Sequence, residues 1–548
     1  MLIIENFFLF LQQMKRLMLL LAAVLLTVSA AYSRLPNYPP DYVYVTIGST
    51  NLPIVWINVG GNTISRTDRI TATMKIIHNG DGQLNYADTV THPGQHVEYD
   101  GYIALRYRGG SSFDNSPKKP YSFRPINKPL EQGGEKKKVS LLGMGKDNNW
   151  ALLAPYSDKS MMRDLLAFEI SQPWMDYTPQ GRFCELFLDG TYYGVFILTE
   201  VVSKGKYRLN LDDPGEEGDE LTGGYLLSVE RNDEPYYRSK YHPVLNNGQP
   251  INNRYIYFQY KSPDFEEMTP AQLEYIKNRI DQMEDALASE NYTDPVEGYR
   301  KHIDVMSFID YQIAQEFAHN VDAYRLSGKF FKRRDSQNPL FKMVVWDMNL
   351  AYGNADYYDA WRTDLWSYQA NDIMYQRDAY LIPFWWYKLN NDPNYTAQLK
   401  RRWAQYRHSN LQEEWLMAVV DSMAYVLTSN GAMARNTRAW PRWGKYVWPN
   451  YYVSVNFDDE LNYLKQWLVA RLKWMDEQLG YDPTEPLPPL HGDVNNDGEV
   501  TVGDINTVIR VILGNDVGHD ILERADVNAD GEITVGDINA IIKVILGG

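Results

Sequence analysis

A chain of 548 residues with 44% hydrophobic and 14% aromatic side chains can bury a substantial core and is too long for one ordinary domain, which excludes a disordered chain. Its formal charge of −16, with no long basic stripe, excludes a general nucleic-acid binder. One cysteine, Cys184, excludes an internal disulfide, and its place before the strand-like ELFL run reads as a buried thiol.

Lys15 and Arg16 precede LMLLLAAVLLTVSA, which reads as a secretory signal peptide over 1–31, cleaved near Ala30 or Ala31. The run is shorter than the ~20 residues a spanning helix needs, so no integral membrane segment is expected in the mature protein. Met14 would open a conventional signal, which puts the expected start thirteen residues further on. The product is then secreted or held at the cell surface.

Residues 32–100 form a β-rich section, with strands expected over 51–59, 70–78 and 96–107. Either a separate module or an added layer fits that composition. Arg106 and Arg108 alternate along the last strand, and Gly109 and Gly110 let backbone approach an anion closely. KKPYSF, with Lys118 and Lys119, reads as the next strand. Ser157 or Asp158 is the expected cap of a helix through MMRDLLAFEI. CELFLDG and TYYGVFILTE read as a hairpin about Asp189-Gly190, ending at Glu200, whose charge either meets a nucleotide or pairs with Lys204, Lys206 or Arg208. GGYLLSVERND adds a strand, and 232–262 reads as a surface loop. Thr269 caps a helix with Pro270 at its first position.

The next stretch has the chemistry of a site. Asp304 caps a helix whose Ile309, Ile313 and Phe317 share a face, and its end delivers Asn320 and Asp322 to a loop. A strand follows; a second, Phe341 to Trp346, stops at Asp347 and Asn349. Carboxylates at two such ends suit phosphoryl transfer, in which one group orients the nucleophile and others hold Mg²⁺ against phosphates. Caps and turns use the same residues for structure alone. Helix patterns over 398–426 and 458–479, and tryptophans such as Trp361, Trp366, Trp385 and Trp386, complete a larger body. Those aromatics read as core in preference to a sugar-binding surface.

RYRGGSS, KKPYSF, NWALLAPYSDKSMMRD, ELFLDGTYYGVFILTE and the Ile303–Gly353 stretch, in this order, resemble the spore-coat protein H (CotH) kinase family. The resemblance covers about 101–355 and extends the domain to 480. It implies an α+β, atypical protein-kinase-like, two-lobed domain that transfers phosphate from ATP to a protein substrate. It also implies that Asp322 orients the acceptor or faces metal, that Asp347 and Asn349 hold Mg²⁺, and that Lys119, with Lys159 beside Asp158 and Arg163, faces ATP phosphates. Arg106, Arg108 and Glu200 join that nucleotide set. The chain departs from the family's pattern at Asn349, where many members carry aspartate, and Ser327 stands where a kinase-style spacing places asparagine. A non-catalytic kinase-fold scaffold, or binding protein of the cell surface, is the alternative those departures favour; a carbohydrate-active enzyme is a third reading.

A proline-rich linker over 481–491 leads to a repeat of DVNNDGEVTVGD and DVNADGEITVGD, offset by 33 residues. Each loop supplies oxygens for Ca²⁺: Asp493, Asn495, Asp497, Glu499, Thr501 and Asp504 in the first, Asp526, Asn528, Asp530, Glu532, Thr534 and Asp537 in the second. Apolar helices INTVIRVILG and INAIIKVILG follow. The duplicated unit, 492–548, resembles a dockerin domain, small and all-α, which implies a cohesin-like partner. A calcium-stapled repeat with no partner is the structural alternative.

Overall fold

The computed structural model describes residues 43–294, 296–484, 492–495, 500–515, 517–528 and 530–545. The signal peptide, most of the proline-rich linker, and Asp497 and Glu499 lie outside the described residues. Two compact units are formed. The first takes the described residues of Met1–Met162, with Pro179–Val201 and Val420–Leu461; the second takes Arg163–Thr178, Val202–Val419 and Asn462–Gly548.

The first unit is a closed barrel of seven strands: β1 (Ile54–Asn58), β2 (Ile70–Ile77), β3 (Val97–Tyr107), β4 (Tyr121–Ile126), β5 (Trp150–Leu153), β6 (Gly181–Leu188) and β7 (Thr191–Glu200). Strand order is β6-β7-β5-β4-β3-β2-β1, and β1 returns to β6 in parallel, with Glu185 opposite Ile54. Closure removes open edges. The strands of the β-rich section therefore share a barrel with those that follow, and β3 runs through residue 100. Inward Ile54, Met74, Ile76, Ile103, Leu105, Phe123 and Leu186 build one core, which also holds Cys184. Burial pushes the Cys184 thiol up to about 12. Asp189 (φ 48) and Gly190 (φ 78) make the β6–β7 turn, the left-handed pair that a two-residue hairpin requires. Helix Ala432–Ala439 packs on β7 at Gly194, where a Cβ would stand 2.7 Å from Asn436 Oδ1.

In the second unit an antiparallel sheet contains β8 (Tyr225–Val229), β9 (Tyr236–Arg238), β10 (Tyr257–Ser262), β11 (Gly328–Lys332) and β12 (Phe341–Val344), in the order β9-β10-β8-β11-β12. Strands β9 and β10 fall inside the expected 232–262 loop: their Tyr-rich segments pair with each other, and β10 pairs with β8. The helix expected from Met161 begins instead at Arg163 (α1, Arg163–Ser171), because Met161 adopts φ 64 and Asp158 accepts from Ser160 N (3.0 Å) and Oγ (2.6 Å) without capping it. Helix α2 (Pro270–Ala288) carries the Thr269–Gln272 capping box. In α3 (Val305–Ala318), Asp304 accepts from Ser307 N at 3.0 Å as the expected cap. Burial of α3 is continuous from Phe308 to Ala318, so its polar residues are paired inside: Asp310 with Arg402 (2.8 Å) and Tyr406 (2.6 Å), Glu316 with Tyr324 (2.8 Å) and Ser367 N (2.7 Å). The helix pattern over 398–426 is carried by two helices, Pro393–Arg407 and Glu413–Thr428, the first capped by Asp392. Trp385 and Trp386 are core residues.

Helices α4 (Val502–Ile512), α5 (His519–Ala525) and α6 (Val535–Ile545) enclose a small core of Val494, Val508, Ala525, Val527 and Ile541. Among the described residues no helix is long and apolar enough to cross a membrane.

Candidate functional site

Helix α3 ends at His319, whose φ of 42 turns the chain out of the helix. Of the ten non-glycine residues with positive φ among those described, seven lie between His319 and Asp359, including Tyr324, Ser327 and Asp347. Such conformations cost of order 1 kcal/mol or more each, and they persist where surrounding contacts over-determine them. Here the contacts are polar. Asn320 accepts from Asp322 N (3.2 Å) and donates through Nδ2 to Asp347 O (3.3 Å), which ties the two aspartate turns together.

Asp322 Oδ1 receives Arg325 Nη2 at 2.7 Å, and Arg325 Nη1 reaches Asp378 Oδ2 at 2.7 Å. Burial holds the Asp322 carboxyl above its ordinary range; Arg325 opposes that shift, while Asp347 and Asp378 add to it. Burial lowers the Arg325 pKa, but Asp322 and Asp378 outweigh that effect and hold it above its ordinary value. Ser327, one residue before β11, donates from its N to Glu230 Oε2 (3.0 Å), and its Oγ stands 3.3 Å from that oxygen and 3.1 Å from Asp347 Oδ2. One hydroxyl proton thus serves two carboxylates. Asn349 Nδ2 donates to Asp347 Oδ1 at 2.9 Å, and Asp164 of α1 accepts from Met348 N at 2.8 Å. The structure therefore gathers Asp322, Asp347 and Asn349 within one unit. Strand β12 stops at Val344, two residues earlier than expected, and Asp347 follows with φ 62.

Glu230, Arg325 and Asp378 were not singled out from the sequence. Glu230 had a signal: it closes β8 as Asp347 follows β12, a carboxylate after an apolar strand.

The other expected nucleotide residues are in the barrel unit. Arg106 Nη1 donates to Thr67 O at 3.3 Å, and Arg108 N to Pro120 O at 3.1 Å. Lys119 Nζ donates to Phe113 O at 2.5 Å and lies 4.3 Å from the Phe113 ring centre; burial lowers its pKa, and Asp114 opposes that. Its neighbour Lys118 is fully buried, donating to Val195 O and to Asn436 Oδ1 (3.1 Å), and burial pushes its ammonium well below its ordinary pKa. Lys159 Nζ donates to Lys445 O at 2.8 Å; burial pushes it to about 8, against the pull of Glu460. Glu200 Oε2 accepts from Gln180 N at 3.1 Å. Lys159 and Glu200 are thus held by partners different from those of the Arg106–Lys119 segment.

In the C-terminal repeat, Asp504 Oδ1 accepts from Val494 N (2.8 Å) and Asn495 N (3.0 Å), and its Oδ2 from Thr501 N (2.8 Å). Asp537 does the same for Asn528 N (3.1 Å) and Thr534 N (2.7 Å). These twelfth-position aspartates, both fully buried, draw the two ends of each loop together. Asp526 accepts from Asp530 N (3.1 Å) and Gly531 N (3.0 Å), and Asp530 from Glu532 N (2.9 Å). Helices α4 and α6 begin at the tenth loop position, three residues before the expected apolar runs, because Thr501 and Thr534 accept from Gly503 N and Gly536 N at 3.0 Å.

Two families match the chain: CotH kinase protein over residues 105–475 and dockerin type I domain over 491–546. No curated protein matches it. With the first match covering well over half its length, the chain belongs to the CotH kinase protein family and carries a dockerin type I domain.

Proposed function

We propose that this is a secreted or surface-held, two-lobed atypical kinase that transfers phosphate from ATP to a protein hydroxyl and is held in place by a calcium-dependent dockerin module at 492–548. The observation that carries the reading is the tie between Asp322 and Asp347 through Asn320, in a chain that the CotH kinase protein family matches. Arg325 occupies Oδ1 of Asp322 and leaves Oδ2 to accept the proton of an acceptor hydroxyl. Magnesium uses one or two carboxylates plus substrate phosphates in preference to an all-protein cage. Asp347 and Asn349 suit that habit, although among the described residues no group of three or more His, Cys, Asp or Glu side chains could hold a metal. Bound there, the ion would offset negative charge on the phosphates. Arg106, Arg108, Lys119 and Lys159, with Glu200, are the proposed nucleotide-facing residues of the barrel.

Calcium suits the oxygen sets of the two loops, and a cohesin-like protein is the proposed partner of the module. The domain limits proposed are 101–480 and 492–548 after a signal at 1–31, with 32–100 an added layer of the first of these domains. A scaffold that retains the fold without turnover is the second reading, favoured by Asn349 spending its amide on Asp347.

The test is transfer of the ATP γ-phosphate to cell-envelope proteins by the full chain. Label on a protein hydroxyl, lost in Asp322→Asn, supports the kinase. Nucleotide binding with no label on any acceptor supports the scaffold.

A further inference from the structure

Arg231 stands two residues past the end of β8, and its backbone is held from both sides. Its N donates to Glu230 Oε1 (3.1 Å), and its O accepts from Nε2 of Gln259 (2.8 Å), a buried amide on β10 that also reaches Asp233 Oδ1 (2.8 Å). Glu230 Oε2 accepts in turn from Ser327 N (3.0 Å), and the Ser327 hydroxyl stands 3.1 Å from Asp347 Oδ2. Arg231 is thus fixed next to a carboxylate that one serine joins to Asp347. Its charge also reaches the other aspartate of the site: burial raises the Asp322 carboxyl most, and Arg325 and, more weakly, Arg231 pull it back.

The two arginines of this cluster differ in what they hold. Arg325 is committed to Asp322 and Asp378, at 2.7 Å each. The half-buried Arg231 guanidinium makes no hydrogen bond or ion pair among the described residues, although Glu230 is its chain neighbour. The acidic residues that follow it have partners of their own: Asp233 takes Gln259, and Glu234 pairs with Lys261 at 2.5 Å. The five donors of Arg231 are therefore left for a ligand that brings its own negative charge.

We propose that Arg231 is a catalytic residue of the Asp322–Asp347 site, whose guanidinium holds the oxygens of the phosphoryl group as it passes from ATP to the acceptor. This assignment rests on the kinase reading and adds a phosphate-facing cation from the unit that carries both aspartates; those named above belong to the barrel. In the transfer, the acceptor oxygen bonds to the γ-phosphorus and the acceptor proton goes to Asp322 Oδ2. The bond from phosphorus to the β–γ bridging oxygen breaks, with its electron pair leaving on ADP. Charge spreads over the three other oxygens of the transferring group, and a guanidinium fork matches two of them at once. Arginines used in this way raise the rate of phosphoryl transfer by about 10³–10⁵.

The experiment measures, on the full chain, calorimetric binding of ADP and Mg²⁺ with and without aluminium fluoride, a mimic of the phosphoryl group in transit, and labelling of cell-envelope proteins at saturating ATP. The parent should bind ADP at least tenfold tighter with aluminium fluoride. Arg231→Gln, with unchanged circular dichroism, should bind ADP and Mg²⁺ as the parent does, lose that gain, and label about a thousandfold more slowly. Arg231→Lys should keep part of both. A full gain and full labelling in Arg231→Gln would make Arg231 a solvent-facing charge and overturn the assignment while leaving the kinase reading intact. Equal loss of ADP affinity with and without aluminium fluoride also overturns it, since Arg231 would then serve the nucleotide and not the group in transit. A folded parent that binds no nucleotide overturns the kinase reading, and the assignment falls with it.

Discussion

The Ser327 hydroxyl lies 3.1 Å from Oδ2 of Asp347, so the two ends of the β11–β12 hairpin meet through their side chains. Hydrogen bonds to a charged group contribute about 1.5–3 kcal/mol. Ser327→Ala should therefore lower Mg²⁺-dependent ATP affinity about tenfold while leaving the fold intact, as read by calorimetry and circular dichroism. Unchanged affinity would remove Ser327 from the site.

Arg325 pairs with both Asp322 and Asp378 at 2.7 Å, and its side chain is 3% exposed. Removing one partner of a buried pair costs about 3–5 kcal/mol. Arg325→Met should destabilise the second unit on that scale in chemical denaturation, and Asp322 should then move further above its ordinary range. Because a base must be deprotonated, the acid limb of any transfer activity should shift to higher pH. An acid limb that does not move in the variant would contradict the assigned role of Asp322.

Glu284 of α2 is fully buried, accepting from Trp385 Nε1 (2.8 Å) and linked to Ser239 Oγ (2.6 Å); burial raises its pKa from 4.5 to about 8. The folded chain keeps a proton there that the unfolded chain releases above about 4.5, so this group's contribution is fully present below that pH and is lost as pH rises to about 8. Glu284→Gln should abolish this part of the fall in unfolding midpoint between those values. An identical pH slope in parent and variant would show that Glu284 is not its source.

Short-range chemistry was legible in the sequence. The Thr269 cap with Pro270 after it, the Asp304 cap, the Asp189-Gly190 turn and the position of Asp322 and Asp347 at element ends all follow from neighbours within a few residues. Pairing over long distances was not. Glu230 reaches Ser327 because Val229 lies opposite Gly328, a register that residues 97 positions apart do not announce. Nor does period-two alternation say which of Lys118 and Lys119 faces inward until β4 is registered between β3 and β5. The barrel's parallel closure, Glu185 beside Ile54, is of the same kind.

In the C-terminal repeat, Asp526, Asp530 and Asp537 concentrate like charge that a cation would neutralise. Amide exchange over 502–512 and 535–545 of the full chain should slow at least tenfold on adding calcium, with magnesium a poor substitute. Asp493→Ala combined with Asp526→Ala should abolish the protection. Full protection in chelator, unchanged by calcium, would rule out metal-dependent folding of the module.

The central claim is that Asp347 is the metal-side carboxylate of an ATP site. Calorimetry of ATP binding to the full chain, with and without Mg²⁺, in the parent and in Asp347→Ala, tests it most directly. The account predicts saturable binding that needs Mg²⁺ in the parent and is at least a hundredfold weaker in Asp347→Ala, whose circular dichroism stays unchanged. Equal Mg²⁺-dependent binding by parent and variant, or no nucleotide binding by a folded parent chain, would contradict it.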